Sequence, residues 1–168
     1  PLPTPVCQFR AGVRAAVTSE PELLGPVEIR ALAAQLDLTP TKKHGQNFVI
    51  DPNTVRRIVR LAELETSDVV VEVGPGLGSL TLGLLGACQA VVAIEIDSRL
   101  ADLLPRTVAD HAPGLAPQLS VLAADALTYP LGDLRGPQPS AFVANLPYNV
   151  AVPIVLRLLG ELPDVSHG

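Results

Sequence analysis

The chain has 168 residues, enough for one domain, with 48% hydrophobic residues, 17% charged residues and a net charge of −5. Such a balance can bury a sizeable core, which excludes a disordered tail. The acidic total by itself argues against a nucleic-acid partner. Cys7 and Cys88 stand without CxxC or histidine spacing, so neither a disulfide framework nor a metal site is expected, and a reducing, cytoplasmic setting fits. The charge is uneven. Between Thr41 and Arg60, five bases (Lys42, Lys43, Arg56, Arg57, Arg60) meet one acid, Asp51, for a local +4 that leaves −9 elsewhere. A basic segment on an acidic body can act as a docking face.

In chain order, residues 1–26 are proline-punctuated and poorly periodic, and read as a poorly ordered extension. No methionine occurs, even at position 1, so the sequence is not expected to be a conventionally initiated whole chain, and Val17-Thr18-Ser19-Glu20 has the look of a natural start. No basic, uninterrupted apolar leader is present at the N-terminus. Helical spacing over Val27–Leu36 is followed by a polar loop, Thr39–Phe48. Asp51-Pro52 opens a second helix, with Asp as N-cap, Pro at the first helical position and Val55, Ile58, Val59 and Ala62 on one stripe.

An alternation follows. Strands are expected at Asp68–Val73, Ala90–Ile96, Leu119–Ala123 and Ala141–Ala144. Helices are expected near Ser79–Leu85, at Ser98–Asp110 with a bend at Pro105, and at Ala151–Leu159. Short apolar strands alternating with helices mean parallel βαβ units buried on both faces, a doubly wound α/β sheet. The uncharged run Val73–Ile94 has the length of a membrane span, but Gly74, Pro75, Gly76 and Gly78 break it and Gln89 interrupts it. It reads as strand, glycine loop, buried helix and strand.

The glycine loop of Glu72–Gly78 (EVGPGLG) lies where the first strand meets its helix, and its spacing selects among ligands. A dinucleotide fingerprint needs GxGxxG, whereas position 79 is Ser; a phosphate-binding P-loop needs GK[ST], and no Lys occurs here. Glu95 ends the second strand 21 residues after Gly74, an offset suited to ribose hydroxyls, though also that of an ordinary solvated acid. Asp97 reads as a helix N-cap. Asp125 follows the third strand at the same sheet edge, as a ligand or a turn residue. Asn145-Leu146-Pro147-Tyr148 follows the fourth. It is either a proline turn with a half-buried ring, or a turn aiming an amide oxygen and a backbone carbonyl at an exocyclic amine while Tyr148 stacks on a base.

GQNF (Gly45–Phe48), EVGPGLG (Glu72–Gly78), EID (Glu95–Asp97), DA (Asp125-Ala126) and NLPYN (Asn145–Asn149), in this order, resemble the motifs of the ribosomal RNA adenine dimethyltransferases. The similarity spans about Thr41 to Leu159, and Leu146, where an Ile would mark the other branch, favours the branch acting on small-subunit (16S) rRNA over the large-subunit enzymes of macrolide resistance. The resemblance implies a Rossmann-like sheet and S-adenosyl-L-methionine as cofactor. It implies cofactor-binding roles for Asn47, Val49, Gly74, Glu95 (ribose), Asp125 (adenine amine) and Asn145, and catalytic roles for Asn145, Leu146, Pro147 and Tyr148. The implied substrate is two adjacent adenosines in a hairpin loop of the immature small ribosomal subunit, with no membrane or obligate protein partner. Lys42, Lys43, Arg56 and Arg57 are candidates for phosphate contacts or, equally, a solvated face.

The family's sheet has seven strands and is followed by a small helical domain. Residues 27–168 therefore correspond to the N-terminal part of the catalytic domain, truncated at four strands, without the helical domain or a second aromatic clamp. His44 stands where an apolar or basic residue is expected. By itself such a fragment is expected to be inactive and aggregation-prone, with Ala141–Ala144 as an open edge. Two other classes fit less well or equally. A nucleotide-binding oxidoreductase is disfavoured by the glycine spacing; a non-catalytic ribosome-assembly factor would share these residues.

Overall fold

The computed structural model describes residues 20–36, 49, 51–134 and 136–168. Helix α1 is Pro26–Gln35 and α2 is Pro52–Leu61. Strand β1 (Val69–Val73) leads through the glycine loop to α3 (Ser79–Leu85), then to β2 (Ala90–Glu95) and α4 (Ser98–His111). A 3-10 turn at Pro113–Gln118 precedes β3 (Leu119–Ala123), another at Leu131–Asp133 precedes β4 (Ala141–Phe142), and α5 is Tyr148–Glu161.

The four strands are all parallel, in the order β3-β2-β1-β4. Each of the first two is buried at every residue, because both faces are covered. Alternation sorts their side chains. Val70, Val91, Ala93 and Ala141 face a core shared with Leu24, Val55, Leu82 and Leu104, whereas Val69, Val71, Val92 and Ile94 face Leu131, Ile154 and Leu158. Helices α1 to α4 thus contribute to one face and α5 to the other. The direction of winding reverses between β1 and β4, the place where open α/β sheets leave a crevice at their C-terminal edge.

Local chemistry sets the boundaries. Asp51 caps α2 through Asn53 N and Thr54 N, both at 3.1 Å, and Asp97 caps α4 through Arg99 N at 3.0 Å. Pro105 lies inside α4, which continues to His111. β4 is two residues shorter than the apolar run suggests. Val143 N still donates to Val71 O, but the chain then leaves the sheet for the proline turn, and Pro147 at the N-cap starts α5 three residues earlier than expected.

Two expectations need correction. Residues 20–25 have no helix or strand, yet they are no loose extension: Leu24 is 1% exposed in the core, and Glu22 N donates to His111 O. Nor is β4 an open edge. Ser166 N donates to Ser140 O and Phe142 N to His167 O, so the segment at 166–167 runs alongside it in parallel. His167 Nε2 lies 3.0 Å from Asp68 Oδ2, and Ser140 Oγ donates to Asp68 Oδ1 at 2.7 Å, tying this edge to the base of β1. Among the described residues, no helix is long and apolar enough to cross a membrane.

Candidate functional site

A cleft of about 1010 Å³ opens at the C-terminal edge of the sheet, lined by the glycine loop, the ends of β2 and β3, and the turn before α5. That volume is at the top of the ~300–1,000 Å³ typical of small-molecule and cofactor sites. Val49, Gly74, Glu95, Asp125, Asn145, Leu146 and Pro147 all line it. Asn47, with Lys42, Lys43 and His44, lies outside the described residues.

The glycine loop is shaped by its backbone. Gly74 has φ +69°, and its amide donates to Ile94 O at 2.9 Å, so a residue without Cβ suits the turn. Gly78 has φ +94°, and a Cβ there would stand 2.7 Å from Leu104 Cδ1, so both the dihedral and the close approach of α4 require glycine.

Glu95 is not a solvated acid. It is 4% exposed and accepts from Gly76 N at 3.1 Å and Asp97 N at 3.0 Å, which fixes the carboxylate between the glycine loop and the end of β2. Burial raises its pKa, and the backbone amides of Asp97, Gly76 and Ile96 oppose that rise. Asp125 is half-buried; its Oδ1 accepts from Leu127 N at 2.8 Å, making it a turn residue that also faces the cleft.

In the proline turn, the Pro147 carbonyl already accepts from Val150 N and Ala151 N. The backbone carbonyl expected to face an incoming amine is therefore that of Leu146 and not of Pro147. Tyr148 is the first residue of α5 and is 98% exposed, neither half-buried nor part of the cleft wall; its neighbours Asn149 and Val150 line the cleft instead.

Sequence reasoning assigned no role to Glu72, Ser79, Ile96 or Asn149, all of which line the cleft. Glu72 is 1% exposed, accepts from Thr81 Oγ1 at 2.6 Å, and is pushed by burial up to about 8. A charged residue inside a β-branched strand was the available signal. Ser79 Oγ is buried without a protein partner, and Ile96 is exposed at the end of β2. The sole base among the described lining residues, Arg99, is held by Asp97 through Nη2 at 2.6 Å, and this bond keeps the Asp97 carboxyl below its usual range. Glu95 and Asp125 remain as acids with no cation paired to them among the described lining residues. A cleft of this kind suits a neutral or cationic ligand carrying hydroxyls and an amine, and it disfavours phosphate. Among the described residues, no group of three or more His, Cys, Asp or Glu side chains is placed to hold a metal.

The four parallel strands with a cleft at their C-terminal edge are the Rossmann-like fold class of the S-adenosylmethionine-dependent methyltransferases. At 15% identity and a TM-score of 0.56, the S-adenosylmethionine-dependent O-methyltransferase from Thermotoga maritima shares the fold over 78% of this chain and 45% of its own. The model of the ribosomal RNA adenine dimethylase family matches residues 38–166, and the chain belongs to that family. It is 62% identical over 151 residues to ribosomal RNA small subunit methyltransferase A of Thermobifida fusca, covering 90% of this chain and 52% of that protein. Over 145 residues it is 61% identical to the protein of the same name from Corynebacterium efficiens, covering 86% and 50%. Among solved structures, 23S rRNA methyltransferase ErmE is 38% identical with a TM-score of 0.59, covering 71% of this chain and 45% of that one. The chain thus spans about half the length of the curated relatives it matches.

Proposed function

We propose that this chain carries the cofactor site and target-base turn of an enzyme that dimethylates N6 of two adjacent adenosines in a hairpin loop of small-subunit (16S) rRNA. It does so in the cytoplasm, during small-subunit biogenesis. Residues 27–168 act as part of the catalytic domain, with residues 20–25 packed onto it. The observation that carries this reading is the meeting of the Asn145–Pro147 turn with Glu95 and Asp125 in one acidic cleft. The names of its small-subunit relatives supply the RNA.

The residues present fit S-adenosylmethionine, which bears hydroxyls, an amine and positive charge but no phosphate. When bound, it supplies a methyl group attached to a cationic sulfonium. Glu95 accepts hydrogen bonds from the ribose diol and Asp125 from the adenine amine. Gly74 lets the methionine end approach the backbone, Val49 borders the site, and a role for Asn47 is carried over from the family's motif.

The adenine N6 lone pair is delocalised into the ring, so catalysis rests on positioning and on stabilising charge that develops on the nitrogen. Asn145 lies between cofactor and target; its amide oxygen and the Leu146 carbonyl accept from the amine, aligning its lone pair. Pro147 stiffens the turn, and the exposed Tyr148 ring stacks on a base already unpaired in a loop. Exposed Arg56 and Arg57 on α2, with Lys42 and Lys43, hold phosphates. No side chain is assigned as a general base.

Methyl transfer by the full-length protein to immature small subunits, with 23S rRNA as a parallel substrate, tests the proposal. N6-dimethyladenosine in small-subunit rRNA is the expected result. Modification of 23S rRNA alone would overturn it in favour of the large-subunit activity, and binding without transfer would favour an assembly factor.

A further inference from the structure

The turn that carries Asp125 is fastened to the helix that begins at Tyr148 chiefly by Arg157, with Glu161 beside it. Arg157 donates through Nη1 to Ala126 O at 3.1 Å and through Nη2 to Tyr129 O at 2.7 Å. Its Nε donates to Glu161 Oε1 at 2.6 Å, and Glu161 Oε2 accepts from Leu131 N at 2.9 Å. The segment so held is a closed unit: Leu127 N donates to the Asp125 carboxylate, and Thr128 N and Tyr129 N to the Asp125 carbonyl. Ala126 and Leu131 pack with Ile154 and Leu158, which sets how deep the turn sits. The guanidinium grips it at two carbonyls three residues apart and so sets where it sits along α5. An exposed ion pair would contribute little, but a rigid planar fork satisfying two carbonyls and a carboxylate is a geometry that lysine cannot reproduce.

We propose that Arg157, braced by Glu161, is a positioning residue that fixes the Asp125 turn relative to the Asn145–Tyr148 turn at the head of α5. It thereby sets the adenine end of the cofactor against the target base. Neither side chain lines the cleft itself; they act through the turn that carries Asp125, which Arg157 holds at the carbonyls of Ala126 and Tyr129. The inference rests on the reading of Asp125 as the partner of the adenine amine, and the experiment separates the two.

Calorimetry on the full-length protein compares S-adenosylhomocysteine with its analogue lacking the purine 6-amino group. Wild type is expected to prefer the amino compound, and Asp125→Ala to lose that preference. Arg157→Gln should weaken S-adenosylhomocysteine binding about tenfold, the scale of one charge-assisted hydrogen bond, and reduce the preference, with RNA affinity unchanged. Arg157→Lys should fall between, and Glu161→Gln should shift the same way by less, so the test survives if Arg157→Gln does not fold. A preference unchanged in Arg157→Lys and Glu161→Gln, but lost in Asp125→Ala, would overturn the role of Arg157 alone. A preference that survives Asp125→Ala would overturn the Asp125 reading and this inference with it.

Discussion

Thr81, on the first turns of α3, donates a 2.6 Å hydrogen bond to Glu72 Oε2 inside β1, so the one acid buried in that strand is bound to the helix that the glycine loop launches. Burial pushes the Glu72 carboxyl up to about 8, against an ordinary value of 4.5.

The linkage has a definite sign. With the folded pKa above the unfolded one, the native state keeps a proton that the unfolded chain gives up, and stability falls as pH rises from about 4.5 to about 8. Glu72→Gln keeps a hydrogen-bonding partner for Thr81 without the charge. Its melting temperature should exceed that of wild type at pH 8 by several degrees, with the gap closing towards pH 5. Equal gaps at both values would exclude Glu72 as the titrating group.

Glu95 is expected to act on affinity. Glu95→Ala in the full-length protein should weaken S-adenosylmethionine binding by ~1–3 kcal/mol, the range for charge-assisted hydrogen bonds. Glu95→Gln should retain part of it, since a carbonyl oxygen can still accept from Gly76 N or Asp97 N. Calorimetry on a folded Glu95→Ala variant with unchanged affinity would remove the residue from the site.

The proline turn should show a different signature. Asn145→Ala is expected to lower methyl transfer far more than RNA binding, because the amide is proposed to act on the reacting amine. Tyr148→Phe should be mild and Tyr148→Ala severe for transfer. With the ring 98% exposed, Tyr148→Ala should leave stability within about 0.5 kcal/mol of wild type. Equal losses of activity for Phe and Ala would transfer the role from ring to hydroxyl.

Gly78→Ala should cost ~2–4 kcal/mol, combining left-handed backbone strain with the clash against Leu104. Urea denaturation reads this directly. A variant of wild-type stability would mean that the loop and α4 can move apart.

The first three strands and the helix caps at Asp51 and Asp97 were legible because each rests on local chemistry: β-branched runs, proline at the first helical turn, and a carboxylate two residues before an amide it can reach. Glu95 and Asp125 were found because strand ends share one edge in any parallel sheet. Glu72 stood in the glycine motif without a function, because its partner Thr81 lies on the next helix and only the folded structure brings the two side chains together. The occupied carbonyl of Pro147 and the outward ring of Tyr148 depend on where α5 starts, and the apolar stripe from Ala151 concealed that start. The Arg157 grip joins segments about thirty residues apart, and periodicity carries no trace of it.

The charge of the cleft has a consequence for what a nucleic acid can insert. A phosphate brought within ~4 Å of Glu95 or Asp125 would be repelled by roughly 4 kcal/mol at an effective dielectric of ~20. The lining therefore works as a sieve for charge as well as shape. On the proposed function, a polyanionic strand would have to leave its backbone outside the cleft and pass only an uncharged ring inward. On the function proposed above, the same acids that suit a cationic cofactor would enforce that separation, so one pair of side chains would select both guests.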